Sequence, residues 1–176
     1  GGSDSDNVTL KVIQALEFLA VEELEAVVVI GGSNPHYESL KMAVQNSRVP
    51  IRLERNVTNM PELMAWADIA ISAGGSTCWE LAFMKVPIMS LIIAENQIAV
   101  AEGISKQGFA CNLGRFQDID EKSISKQIDA LIHSRQRRSN MVKNGQAVIN
   151  PLGRDLICKR IRGESVNVIP VTQSDC

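Results

Sequence analysis

Three short segments combine glycine with small hydroxyl or amide residues: Gly1-Gly2-Ser3-Asp4, Gly31-Gly32-Ser33-Asn34 and Ala73-Gly74-Gly75-Ser76-Thr77. Glycine lets a bound group approach the backbone closely, and hydroxyls and amides donate to anionic oxygens. Where such a segment opens a helix, the helix dipole adds about half a positive charge at that point. The third segment is the most informative, because its composition suits a diphosphate cradle. It lacks the lysine of a P-loop and the GxGxxG spacing of dinucleotide sites. The same glycines equally suit a tight turn from strand to helix.

Residues near these segments extend the pattern. Glu80, one turn beyond the third segment, can accept hydrogen bonds from ribose hydroxyls. Thr77-x-x-Glu80 is equally a capping box, with Glu80 folding back to the Thr77 amide. In Glu95-Asn96-Gln97, the amides carry both donors and acceptors and match the dual character of sugar hydroxyls. Asn96 is as plausible as an ordinary helix cap. Arg55-Asn56-Val57, with Met60-Pro61, follows a strand end where a nucleobase edge can meet backbone groups.

The other reactive types read as structural. His36 stands near a helix start and His133 near a helix end, with Arg135, Arg137 and Arg138 suiting a helix junction or a partner surface. Trp66, Trp79 and Phe83 are expected to pack. No Ser/His/Asp or Cys/His arrangement stands out. With only two histidines and four widely spaced cysteines, Cys78, Cys111, Cys158 and Cys176, neither a metal site nor a disulfide framework is expected.

Positioning these loops requires alternating strands and helices. Helical periodicity covers 7–20, with Asp4, Ser5 or Asp6 able to cap it. The β-branched run 25–30 reads as a buried strand, and Asn34-Pro35 as a helix start. Strands follow at 50–54, 68–72, 87–93 and 109–113. Helices follow at 61–67, 77–84, 98–107, 121–133, 134–149 and 152–161. The alternation predicts an α/β, Rossmann-like three-layer domain with a parallel sheet, ligands being held at the carboxyl ends of the strands.

The 176 residues suffice for one domain with its own core. A formal charge of −2 argues against a dedicated nucleic-acid binder. The apolar run 86–94 is far shorter than the ~20 residues of a membrane span. A cytoplasmic setting is expected, with no cofactor. The opening Gly-Gly-Ser-Asp, without Met, reads as part of a longer polypeptide.

In combination, the segments bring a resemblance. MPELMAWADIAISAGGSTCWELAFMKVPIMSLIIAEN, residues 60–96, resembles the C-terminal nucleotide-binding half of GT-B glycosyltransferase-like proteins. It is most similar to the pseudaminic-acid pathway UDP-sugar hydrolases, a family also called spore-coat polysaccharide biosynthesis proteins. GGSDSDN, GGSNPH, AGGSTCWEL and AENQ follow in the family's order over residues 1 to about 113. A more distant likeness is to the transferase that adds N-acetylglucosamine to the peptidoglycan lipid precursor.

The resemblance implies a UDP-sugar-binding domain over 1–162. Gly74, Gly75, Ser76 and Thr77 would hold the diphosphate, helped by Gly2 and Ser3; Glu80 would bind the ribose. Asn96 and Gln97 would face the sugar, and Asn56, Val57 and Met60 would border the uracil. It implies hydrolysis of UDP-2,4-diacetamido-2,4,6-trideoxy-β-L-altropyranose without a metal. The general-base histidine lies in an N-terminal domain outside this sequence, so no catalytic residue is assigned here and the chain alone is expected to be inactive. The alternatives are the donor domain of a GT-B glycosyltransferase and a non-catalytic interaction module. The tail 163–176, through VIPVTQSDC, resembles the first strand and turn of a GNAT-type acetyltransferase and reads as a tail or the start of a following domain.

Overall fold

Strand and helix alternate throughout the computed structural model, which describes residues 4–149. In chain order the elements are α1 (Val8–Leu16), β1 (Ala26–Ile30), α2 (Tyr37–Gln45), β2 (Ile51–Arg55), α3 (Met60–Trp66), β3 (Ala70–Ala73) and α4 (Thr77–Phe83). They continue with β4 (Ile88–Ile92), a 3₁₀ turn (Glu95–Gln97), α5 (Ile98–Lys106), β5 (Ala110–Arg115), α6 (Glu121–Ile132) and α7 (Arg135–Val148). The helix expected at 152–161 and the tail strand within 163–176 lie outside the described residues, as do Gly2 and Ser3.

All strand pairings are parallel, as the alternation requires, but they form two sheets rather than the single sheet expected. β1 pairs with β2, and β4 lies between β3 and β5. Every residue of β4 is buried, which explains its unbroken apolar character. Its side chains divide by the two-residue period of a strand. Met89 and Leu91 enter a cluster with α1, α6 and Met141 of α7, while Ile88 enters one with α3, α4 and α5. Val148, near the end of α7, packs on the second cluster, so α7 touches both. A third cluster joins Ile13 of α1, Ile30 of β1 and Leu40 of α2.

Several boundaries differ for identifiable reasons. α1 stops at Leu16 rather than reaching Ala20, because Glu17 turns to Ser47 and Arg48: its carboxylate accepts from the Ser47 hydroxyl and, at 3.2 Å, from the Arg48 amide. Helix α2 starts at Tyr37, three residues past Asn34, whose Oδ1 accepts from the His36 amide at 2.8 Å and so shapes the turn before the helix. β5 extends to Arg115 through a register shift opposite Ser90 and Leu91, and Gly114 there takes φ +90°, which favours glycine.

Trp66, Trp79 and Phe83 do not pack as expected, being 47%, 40% and 54% exposed. Trp79 and Phe83 stand one helical turn apart on the outer side of α4, and only Trp79 reaches inward, with ring centroids 5.6 Å from buried Phe109. No helix among the described residues is long and apolar enough to cross a membrane.

Candidate functional site

The sequence-predicted residues within 4–149 gather at the carboxyl ends of four parallel strands. Asn56 and Val57 follow β2, Gly74 to Thr77 follow β3, and Asn96 and Gln97 follow β4, while Gly31 to Asn34 follow β1. Met60, the first residue of α3, is partly buried against the core cluster of α3, α4 and α5, so packing already accounts for it.

Two pairs of loops interlock. A Cβ on Gly32 would stand 2.3 Å from Asn56 Oδ1, so the Asn56 side chain lies directly against this glycine and would have to shift for any other residue. Asn56 itself takes a left-handed φ of 56°, its amide 3.4 Å from the Ile30 carbonyl, and Arg55 donates to the Gly32 carbonyl while lying over the Tyr37 ring. A Cβ on Gly74 would lie 3.2 Å from both Ala101 Cβ and the Gln97 carbonyl oxygen. The two glycines of the third loop therefore have different tasks. Gly74 is buried and lets the loop close on α5, whereas a Cβ on Gly75 would meet nothing within 4 Å. The turn reading is right for Gly74, and Gly75 faces open space.

The capping box is not formed. The N-cap of α4 is Ser76, not Thr77, and its backbone is already helical at φ −59° and ψ −29°. An N-cap side chain reaches back to the helix amides from an extended backbone, so this serine makes no capping bond. Glu80 is exposed and its side chain makes no hydrogen bond among the described residues, so its carboxylate is uncommitted. The amides of Cys78 and Trp79 bond to the carbonyls of Gly75 and Ser76, while those of Ser76 and Thr77 have no partner among the described residues. Two backbone donors, two hydroxyls and one free carboxylate thus surround the space above Gly75. Cys78, just beneath, is no nucleophile: it is fully buried, its Sγ lies 3.4 Å from the Ala73 carbonyl, and burial pushes its thiol pKa up.

The β4 loop is likewise only partly committed. Gln97 Oε1 accepts from the Ile93 amide at 3.1 Å, leaving its Nε2 as a donor. Asn96 sits exposed in the 3₁₀ turn and caps nothing; Gln97, not Asn96, precedes α5.

Two clefts lie elsewhere. One of about 350 Å³ is lined by residues 17 and 19–24 with 48–50, at the opposite ends of β1 and β2, and one of about 470 Å³ by residues such as Cys111, Gln127 and Arg137. Cys111 and Arg137 line the second, but neither cleft contains a residue of the expected nucleotide-sugar site. The site is marked by converging polar groups on an open surface, not by enclosure. Sequence reasoning missed His36, whose Nε2 lies 3.0 Å from the Ser5 carbonyl oxygen, and the Arg55–Gly32 link. Both span more than twenty residues, which no local pattern reports. The junction reading holds for Arg138, which donates to the last carbonyls of α6, at Leu131 and Ile132, beside the C-cap His133, whereas Arg137 donates to Cys111 Sγ at 3.1 Å.

Comparison with known proteins follows the same outline. The family model for the glycosyltransferase family 28 C-terminal domain matches residues 1–152. The spore coat polysaccharide biosynthesis protein SpsG of Bacillus subtilis is 27% identical over 154 residues, 87% of this chain and 45% of that protein. The UDP-N-acetylglucosamine–N-acetylmuramyl-(pentapeptide) pyrophosphoryl-undecaprenol N-acetylglucosamine transferase of Carboxydothermus hydrogenoformans is 31% identical over 156 residues, 85% of this chain and 41% of that protein. The chain thus spans less than half the length of these relatives. Among solved structures, Acinetobacter baumannii MurG aligns with a TM-score of 0.75 at 18% identity, over 93% of this chain and 48% of that one. The spinosyn rhamnosyltransferase SpnG complexed with thymidine diphosphate aligns at 0.60 and 18%, over 80% and 36%. Both likenesses concern the fold, one half of a GT-B architecture.

Proposed function

We infer the function from a premise of family: this chain belongs to the glycosyltransferase family 28 C-terminal domain family. Within it, the chain is the donor-binding half of an enzyme that cleaves a nucleoside diphosphate from a sugar. The observation that carries this reading is the Ala73–Thr77 loop, where the Ser76 and Thr77 amides lack protein partners and Gly75 leaves space above them.

The proposed chemistry follows from those groups. As the bond from sugar to diphosphate breaks, negative charge grows on the departing oxygens. Fixed amide and hydroxyl donors at Ser76 and Thr77 stabilise that charge without reorganising, the Gly75 amide being bonded to the Ala73 carbonyl. Glu80, uncommitted one turn away, accepts from ribose hydroxyls. Asn56 and Val57 border the base, with Met60 behind them as packing; Asn96 and the Gln97 Nε2 face the sugar. Gly2 and Ser3 add to the diphosphate side. None of these groups is placed to activate an acceptor or a water, so a general base must come from the remainder of a longer enzyme. The donor sugar reaches an acceptor in the transferase reading and water in the hydrolase reading. The transferase reading fits at least as well, since relatives and structural neighbours carry transferase names. The likeness to SpsG keeps the polysaccharide-biosynthesis context. UDP is the expected nucleotide.

Calorimetric titration of the chain with UDP and, separately, thymidine diphosphate tests this. UDP binding that disappears in Gly75→Asp supports the reading; no UDP binding at millimolar concentration overturns it and favours an interaction module. The chain alone should show no turnover of a UDP-sugar, and measurable turnover would refute the division of labour.

A further inference from the structure

The four sheet edges are of two kinds. In a parallel ladder, alternate residues of a strand turn both amide and carbonyl to the same neighbour. Ala26 donates to the Pro50 carbonyl and Ile30 accepts from the Asn56 amide, so Ala26, Val28 and Ile30 face β2. Val27 and Val29 therefore turn their backbone groups away from β2. Likewise Ala70 donates to the Pro87 carbonyl and Gly74 to the Leu91 carbonyl, which leaves Ile71 turned away from β4. The amides and carbonyls of Val27, Val29 and Ile71 have no partner among the described residues. Charges and bulges are what stop an edge from pairing further. The outer strand β2 carries Arg52, Glu54 and Arg55, and the outer strand β5 has its register shift and Arg115. β1 (AVVVI) and β3 (AISA) carry no charge, proline or bulge, so their composition is that of inner strands although each has an open edge.

Both unprotected edges pack on one helix. Ile13 of α1 shares a cluster with Ile30, on which Val28 packs, while Val8, Ala15 and Leu16 share the cluster on which Ala26, Ile69 and Ile71 pack. β1 and β3 thus flank α1. Neighbouring strands stand ~4.8 Å apart, and a helix with its side chains is ~10 Å across, about two such spacings. The two edges are not bonded to each other, so more than one spacing divides them; α1 reaches both, which limits the division to about two. The groove between them has the width of one strand. Val29 beside it is left 38% exposed, in a run whose unbroken apolar character suits burial on both faces.

We propose that the groove between β1 and β3 is the docking site of one extended apolar segment, parallel to both strands, which joins the two sheets into one. Its occupant is a segment of the longer polypeptide that leads into α1, because such a strand, α1 and β1 then form the right-handed parallel crossover that these sheets use. This holds whether or not the chain binds a nucleotide. A synthetic probe of valine and isoleucine, as long as β1 and flanked by lysines, stands in for the segment and is titrated into the chain by NMR. The amides of Val27, Val29 and Ile71 should shift saturably and exchange with solvent ~5–10-fold more slowly, the size of one hydrogen bond. Those of Ala26, Val28 and Ala70, already bonded within their sheets, should move little. N-methylation of alternate probe residues removes the donors to one edge at a time, and either pattern should weaken binding ~10-fold or more. Full affinity with one of the two patterns would mean that a single edge is in use and overturns the two-edged groove. A nitroxide on the probe's carboxyl end should broaden Ile30 and Ala73 rather than Ala26 and Ala70; the reverse overturns the parallel direction. Fused ahead of Gly1, the same strand should protect the three amides in a monomer, and protection in trans alone overturns the assignment to the segment leading into α1. No saturable binding at millimolar probe, shifts confined to β2 and β5, or dimers of the unaltered chain with the three amides already protected would overturn the proposal, the last giving the groove to a second copy.

Discussion

Helices α4 and α6 begin in opposite ways. At α6, Asp120 is extended, at φ −89° and ψ 167°, and its carboxylate accepts from the Ser123 amide at 2.7 Å. At α4, Ser76 is already helical, no side chain caps, and two amides stay unpaired among the described residues. Helix α1 resembles α6, its terminus closed by Asp4. A helix start with its own carboxylate is complete; one without it is a donor set in need of an anion. Helices α2, α3 and α5 also start without a side-chain cap, so the missing carboxylate alone does not single out α4; the Gly74-Gly75-Ser76-Thr77 approach to it does.

Substitutions at each terminus should part accordingly. The largest effect is expected from Gly75→Asp. Its Cβ has free space, so the melting temperature should hold, while a carboxylate among the phosphate donors weakens UDP by ~100-fold or more, about 2.7 kcal/mol. Calorimetry beside a thermal melt checks both halves, and retained affinity would remove the diphosphate from this loop. Gly74 should behave as packing: Gly74→Ala forces a methyl to within 3.2 Å of Ala101 Cβ and the Gln97 carbonyl, costing ~1–3 kcal/mol in denaturant unfolding. For that reason Gly74→Asp, although it too would abolish binding, confuses lost fold with lost site.

Ser76→Asp sharpens the contrast further. It gives α4 the negative charge that α6 already has, so stability should rise by ~0.3–1 kcal/mol as the dipole is complemented. UDP affinity should fall ~10-fold, the opposite sign, measured on the same sample. The smallest effect is reserved for the closed terminus. Hydrogen bonds from Ser123, its side chain before its backbone amide, hold the Asp120 carboxyl below the usual carboxylate range. A lowered folded pKa means the contribution is complete above the unfolded value near 4 and is lost as pH falls through the folded one. Asp120→Ala should therefore lower the melting temperature slightly and evenly from pH 7 to about pH 5. The gap should close below about pH 4, with UDP binding untouched.

Much of this was readable from residue types. Alternation of apolar runs with helical periodicity located all five described strands to within a few residues; the continuous apolar signal of burial on both faces belongs to β4, whereas β1 exposes Val29 and β2 exposes Arg52 and Arg55. The Gly-Gly-Ser-Thr segment stood out by composition, which suits a diphosphate cradle and a tight strand-to-helix turn equally. The capping-box alternative failed at Ser76, where φ and ψ, which no spacing rule reads, decide whether a hydroxyl can turn back. The division of labour between Gly74 and Gly75 was hidden for a different reason: it depends on Ala101, 27 residues beyond Gly74 in a helix whose approach is set by the core. His36 and Ser5 meet across 31 residues, and neither type announces the other. Trp79 and Phe83 looked like core by hydrophobicity alone, but the helical face they share points outward.

The central claim is that the two unpaired amides of α4 are where the diphosphate binds. A residue-resolved NMR titration of the chain with UDP tests it most directly. The amides of Gly75, Ser76 and Thr77 should shift in a saturable manner, with those of Ser123 and Arg137, at the capped starts of α6 and α7, unmoved. Saturable shifts at the capped helices with none at Ser76 and Thr77, or no saturable shift anywhere at millimolar UDP, would contradict the account.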